Sequence, residues 1–187
     1  APAYPDPRDR LAGAVPKLRA FAISLARDVS RADDLVQDTI LKAWSNIDRF
    51  DPATNLDAWL FTILRNTFYS SLRKTRREVQ DSEGIHAATL SVKPAHDGRL
   101  ALQEFQKAFD ALSPEHREVL ILVGASGFSC EEAAGMMGVA IGTVKSRASR
   151  ARKRLAELLH LEDGEDMFSG TDGATQAVVL RSATGGF

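Results

Sequence analysis

From Ile141 to Leu158 the chain sorts its side chains between two faces of one helix. Val144, Ala148, Ala151, Leu155 and Leu158 return at spacings of three and four, the spacing of neighbours on an α-helix. Lys145, Ser146, Ser149, Arg150 and Lys153 fall on the opposite side. A segment divided in this way packs with its apolar side inward and its cations in water. Just upstream, Ser129 and Glu132 match a capping box that opens a short helix through Met137, and Gly138 supplies the residue that stops a helix in the left-handed conformation. A further helix starts near Gly142. Two short helices around a tight turn, the second apolar inside and basic outside, describe a helix-turn-helix.

The rest of the pattern is helical as well. After an irregular start, Pro16 suits the first position of a helix, and Leu18, Phe21, Ala22 and Leu25 follow at helical spacing. Ser30 with Asp33 predicts a cap for a second helix, whose stripe is Leu35, Val36, Thr39, Ile40, Ala43 and Trp44 and whose end lies near Asn46. Asp48 to Asn55 reads as a loop, and Asn55 can cap the long helix that runs to about Arg77. That helix keeps Leu56, Trp59, Leu60, Ile63, Leu64, Phe68 and Leu72 on one face and loads its later half with Arg65, Arg73, Lys74, Arg76 and Arg77. Periodicity disappears between Val79 and Gly98, then resumes at Leu100, Leu102, Phe105, Phe109 and Leu112. Ser113-Pro114 restarts a helix that carries Val119, Leu120, Leu122 and Val123. The expected fold class is all-α: two small helical domains, residues 1–78 and 99–161, joined by a flexible linker over 79–98. The acidic, Gly-rich tail over 162–187 is expected to be disordered.

Composition narrows the function classes. A formal net charge of -1 argues on average against a polyanion partner, but the average conceals segregation. Ile141 to Leu155 carries six cations and no acid, whereas Glu162, Asp163, Glu165, Asp166 and Asp172 crowd the tail. No apolar run approaches the roughly 18 residues that cross a bilayer, and Ala1 to Arg10 does not resemble a signal peptide, so a cytoplasmic protein without a membrane partner is expected. The single cysteine, Cys130, reads as a space-filler, and His86, His96, His116 and His160 lie nowhere at metal-ligand spacing. No metal and no cofactor are expected. The chain has no phosphate-binding glycine loop or nucleophile-base pair, which excludes the common enzyme designs.

Two constellations keep two meanings. Trp59, Phe61, Phe68 and Tyr69 lie among arginines on the long helix, and such rings either stack unpaired bases or fill the core. Asp33, Asp34 and Asp38, with Lys42 nearby, read as an exposed interaction face rather than a catalytic cluster.

Ala32-Asp33-Asp34-Leu35-Val36-Gln37-Asp38 with Ala43-Trp44, the stretch from Leu56 to Asn66 around Trp59, Leu112-Ser113-Pro114, and Gly142 to Arg147 with Arg150-Ala151-Arg152 resemble, in order and spacing, regions 2 and 4 of extracytoplasmic-function sigma factors. Phe50 to Leu56 and Gly127-Phe128-Ser129 resemble the general-stress-response branch of alphaproteobacteria, the EcfG group. The resemblance implies a factor that directs RNA polymerase core to promoter DNA and does no chemistry of its own. It implies that Thr143, Lys145, Ser146, Ser149, Arg150 and Lys153 read a GGAAC-like -35 element. It assigns the unpaired -10 element to Phe50, Asp51, Asn55, Arg65, Asn66, Arg73 and Lys74. It places Asp33, Asp34, Gln37, Asp38 and Lys42 against the beta-prime clamp helices of polymerase, with the beta flap as a second contact. A NepR-like anti-sigma factor is the implied inhibitor. The usual tyrosine is replaced by Cys130, and the acidic tail lies outside the pattern. Two other readings stand beside it: a sigma-like mimic that titrates an anti-sigma factor, and a stand-alone helix-turn-helix regulator.

Overall fold

The computed structural model describes residues 6–81 and 99–161. Most of the expected linker and the whole expected tail lie outside the described residues. Those described are helical, with no strand among them. The first domain consists of α1 (Pro7–Ala26), α2 (Val29–Ser45) and α3 (Leu56–Asp81), and a 3-10 turn at Ile47–Arg49 leads into the loop before α3. The second comprises α4 (Arg99–Asp110), α5 (Pro114–Val119), a π-helical turn (Leu120–Ala125), α6 (Cys130–Met137) and α7 (Ile141–Leu158).

The first helix begins earlier than the sequence pattern predicts. Asp6 caps it by accepting from Arg8 N at 2.9 Å, and Pro7 holds the first-turn position that Pro16 was expected to take. Pro16 instead lies inside α1, where the loss of one backbone donor is outweighed by packing of Leu11, Ala14 and Leu18 on a continuous buried stripe. The cap of α2 is Asp28 rather than Ser30, with the Arg31 N–H donating to its carboxylate at 2.8 Å. Between these helices Arg27 takes the left-handed conformation at φ 56°, and its N–H closes on Ile23 O.

The remaining helix starts follow their local chemistry. Asn55 Oδ1 accepts from the N–H groups of Asp57 and Ala58, and Ser113 Oγ from that of His116. α1, α2 and α3 pack pairwise around Leu18, Phe21, Leu25, Leu35, Leu60 and Leu64. Phe21 stacks on Phe61 with centroids 4.8 Å apart. In the second domain Val119, Leu122, Val144, Ala148, Ala151 and Leu155 form the interior, with α7 laid across α5 and α6. The stripe of α2 is narrower than its pattern implies: Ala43 is buried, whereas Trp44 and Leu41 are more than half exposed and Arg8 lies over the Trp44 ring. Buried apolar residues of both domains join in one continuous cluster.

Candidate nucleic-acid interface

The helix-turn-helix is built by three local devices. Ser129 Oγ accepts from the Glu132 N–H at 3.1 Å while the Glu132 carboxylate accepts from the Ser129 N–H at 2.9 Å, so two otherwise orphaned donors at the start of α6 are satisfied reciprocally. Gly138 ends α6 at φ 65°, a conformation that costs a side-chain-bearing residue but not glycine. Ala140 carbonyl oxygen then receives the N–H groups of Thr143 and Val144, which starts α7 without a side-chain cap.

These devices fix which face of α7 meets water. Val144, Ala148, Ala151 and Leu155 are buried, and Lys145, Ser146, Ser149, Arg150 and Lys153 are exposed, with Thr143 half-buried at the helix start. Arg150 is partly ordered: it donates to Ser146 O and Ser146 Oγ, both at 3.2 Å, one turn back. An exposed row of short hydroxyls and flexible cations on a helix of about 27 Å is the equipment for reading a major groove and neutralising its phosphates.

The first domain arranges a second cationic surface. Asp51, Asn55, Asn66, Arg73 and Lys74 are exposed along the loop and α3. Asp51 shapes the loop, its carboxylate accepting from Ala53 N at 2.9 Å and its carbonyl from Thr54. Arg73 donates to Ser70 Oγ at 3.1 Å, and Lys74 lies 3.9 Å from the Glu78 carboxylate. Phe50 is buried and tilts against Trp59 at 5.3 Å, so its ring anchors the loop to α3. Arg65 is half-buried and bound to Glu118 of α5. The aromatic residues of α3 resolve toward the core: Phe61 and Phe68 are buried, and Trp59 and Tyr69 are half-buried against it.

On α2, Asp33, Asp34, Gln37, Asp38 and Lys42 are all exposed and lie beside Leu41. Asp33 pairs with Arg19 at 2.7 Å, and Lys42 donates to Thr67 Oγ1 at 2.9 Å. No group of His, Cys, Asp and Glu residues able to hold a metal occurs among the described residues. No described helix is long and apolar enough to cross a membrane.

Sequence reasoning missed Glu118 and Arg117, both buried and charged. Burial pushes the Glu118 carboxyl above its ordinary range, opposed by the charge and hydrogen bonds of Arg65 and Tyr69 and by the charge of Arg147. Burial likewise raises Tyr69, with Glu118 adding to the rise, and lowers Arg117. Nothing local marks Glu118, whose partners Arg65 and Tyr69 lie 53 and 49 residues away, and Arg117 joins nearby carbonyls to Ser24 O, 93 residues away.

Residues 13–78 match the model of Sigma-70 region 2, and residues 102–155 that of Sigma-70, region 4. A curated relative, the ECF RNA polymerase sigma factor EcfG of Rhodopseudomonas palustris (strain TIE-1), is 54% identical over 92% of this chain and 94% of its own length. The chain is an extracytoplasmic-function sigma factor of the sigma-70 family. As a sigma factor it directs RNA polymerase to promoter DNA for transcription initiation, and sigma factors in general are non-enzymatic. A match in region 2 as well as region 4 removes the stand-alone helix-turn-helix reading. A solved structure resembles the sigma factor across both domains: RpoE of Bartonella quintana in complex with the anti-sigma factor NepR. It is 55% identical, covers 83% of this chain and 97% of that one, and has a TM-score of 0.75. The PhyRSL-NepR complex from Sphingomonas sp. Fr1, at 19% identity, 88% and 96% coverage and a TM-score of 0.61, shares the fold.

Proposed function

We propose that this sigma factor serves general stress-response promoters, reading a GGAAC-like -35 element with α7 and trapping an unpaired base of the -10 element with the loop before α3. The observation that carries the reading is the exposed cationic row of α7, Lys145, Arg150 and Lys153, presented by a capped helix-turn-helix. Thr143, Ser146 and Ser149 complete the groove-facing set. In the first domain Asp51, Asn55, Asn66 and Arg65 surround the captured base, Phe50 holds their loop, and Arg73 and Lys74 follow the strand backbone. A base that leaves the stack binds only in the melted state, so opening follows from differential affinity.

In the same reading Asp33, Asp34, Gln37, Asp38 and Lys42 dock on the beta-prime clamp helices, and the second domain rests on the beta flap. The functional units are the region 2 domain, residues 1–78, and the region 4 domain, residues 99–161. The protein works in the cytoplasm and has no catalytic machinery. A NepR-like anti-sigma factor is its inhibitor, a reading supported by the sigma factor of similar sequence and fold found with NepR. The mimic reading is weaker, because a protein that binds only an anti-sigma factor has no need of an exposed cationic row on α7.

The test is run-off transcription with purified core polymerase on a GGAAC-containing promoter, comparing the intact chain with Lys145→Ala and Arg150→Ala. Promoter-dependent transcript from the intact chain and loss of transcript in the variants are expected. Transcript at full level from both variants refutes the assignment.

A further inference from the structure

The two domains meet across a seam whose centre is polar. Glu118 and Arg117 lie side by side on α5, 0% and 3% exposed. Glu118 accepts from Arg65 Nε and, at 3.0 Å, from the Tyr69 hydroxyl, both on α3 of the other domain. The Arg65 guanidinium lies over the Tyr69 ring, 4.7 Å from its centroid. Arg117 donates to Ser24 O on α1 at 2.7 Å and, within its own domain, to the carbonyls of Asp110 and Leu112. Arg27 faces Asp110 at 3.7 Å on the rim, and Phe61 meets Phe128 edge-on at 5.2 Å.

The closed arrangement rests on contacts between the chain's own helices. Reading two elements on one duplex is a different geometry, because -35 and -10 are separated by about 25 base pairs, or about 85 Å at about 3.4 Å each. A buried ion pair suits a contact that must open, since desolvation offsets much of its attraction and each partner is at home in water once released. Glu118 also feels the charge of Arg147 on α7, so a cation remains near it when α3 departs.

We infer that Glu118 is an autoinhibitory latch: by occupying Arg65 it holds the domains closed and withholds that guanidinium from the melted strand until polymerase separates the domains. The inference deepens the proposed role of Arg65 at the -10 element and rests on it. Domain closure and strand capture then compete for one side chain, and each weakens the other by the same factor.

The experiment uses the full chain without polymerase, with two readouts: radius of gyration by X-ray scattering, and anisotropy of a labelled single-stranded -10 oligonucleotide. Glu118→Ala removes both acceptor oxygens. It is expected to expand the chain and to tighten oligonucleotide binding by about tenfold or more, because Arg65 and Tyr69 are left without their partner in the closed state. Saturating the wild-type chain with the oligonucleotide is expected to expand it too, which tests the latch even where the variant does not fold. A wild-type chain that is already extended, or one that binds the oligonucleotide while staying compact, overturns the inference. An expanded, folded E118A with unchanged affinity also overturns it. Arg65→Ala in assembled holoenzyme, where closure plays no part, tests the -10 reading by itself: lost promoter opening there keeps that reading even if the latch fails.

Discussion

Helices α3 and α7 are written in the same way, each with an apolar stripe on one side and cations on the other, yet the fold treats them differently. Lys145, Arg150 and Lys153 of α7 stand exposed, and Arg150 is held by Ser146 one turn back. On α3 the first cation, Arg65, is bound by a carboxylate 53 residues away, whereas Arg73 and Lys74 meet Ser70 and Glu78 of their own helix. The contrast teaches that a charge pattern states which face is polar but not whether its groups are available. On α7 availability is set by the local turn; on α3 it depends on where the other domain lies.

The largest expected effect breaks the α3 side of the contrast. Glu118→Ala removes a fully buried carboxylate and leaves Arg65 and Tyr69 without their partner, costing the closed arrangement about 3–5 kcal/mol. Thermal unfolding followed by circular dichroism should show the second domain retained and the interdomain transition weakened. On the α7 side, Arg150→Ala should leave thermal stability unchanged within about 0.5 kcal/mol. It should relax preference at one base position by about 1–3 kcal/mol, measured by competition between variant promoters. Lys153→Ala should instead weaken all sequences alike and flatten the salt dependence by about one unit of slope. Ser129→Ala removes half of the capping box and should cost the second domain about 1 kcal/mol in denaturant titration.

The smallest effect is a pH dependence confined to the seam. The closed form raises Glu118, mainly through burial, against Arg65, Tyr69 and the charge of Arg147, and Glu115 adds a further acid near Tyr69. Closure therefore binds a proton that the open form releases. Its contribution is fully present below the ordinary carboxylate range and is lost as pH rises through the raised value. Asp110, raised by burial against Arg27 and Arg117, acts in the same direction. X-ray scattering across this window should show the chain opening with rising pH, and Glu118→Gln should remove the Glu118 share.

Much of the fold was legible because its signals are local. The Asn55, Ser113 and Ser129–Glu132 caps, the Gly138 stop and the two faces of α7 each need only a few consecutive residues to specify them. Proline misled at the start of α1, since Pro7 and Pro16 both occur there and only the upstream stripe of Leu11 and Ala14 distinguishes a first-turn position from an interior one. Trp44 misled because helical spacing places it on the edge of the α2 stripe, where the ring stays more than half exposed beneath Arg8 of α1. The seam was illegible for a different reason: Glu118 sits among Val119, Leu120 and Leu122 and finds its partners only once α3 folds back on α5.

The left-handed residue at Gly138 has a consequence for how such a protein can change its tastes. In the proposed reading, where α7 enters the groove, that turn fixes the end of α6 before α7 begins, so the approach to the duplex is shaped before recognition starts. Surface substitutions along α7 can therefore re-specify the target one letter at a time while the scaffold keeps presenting the same helix at the same angle.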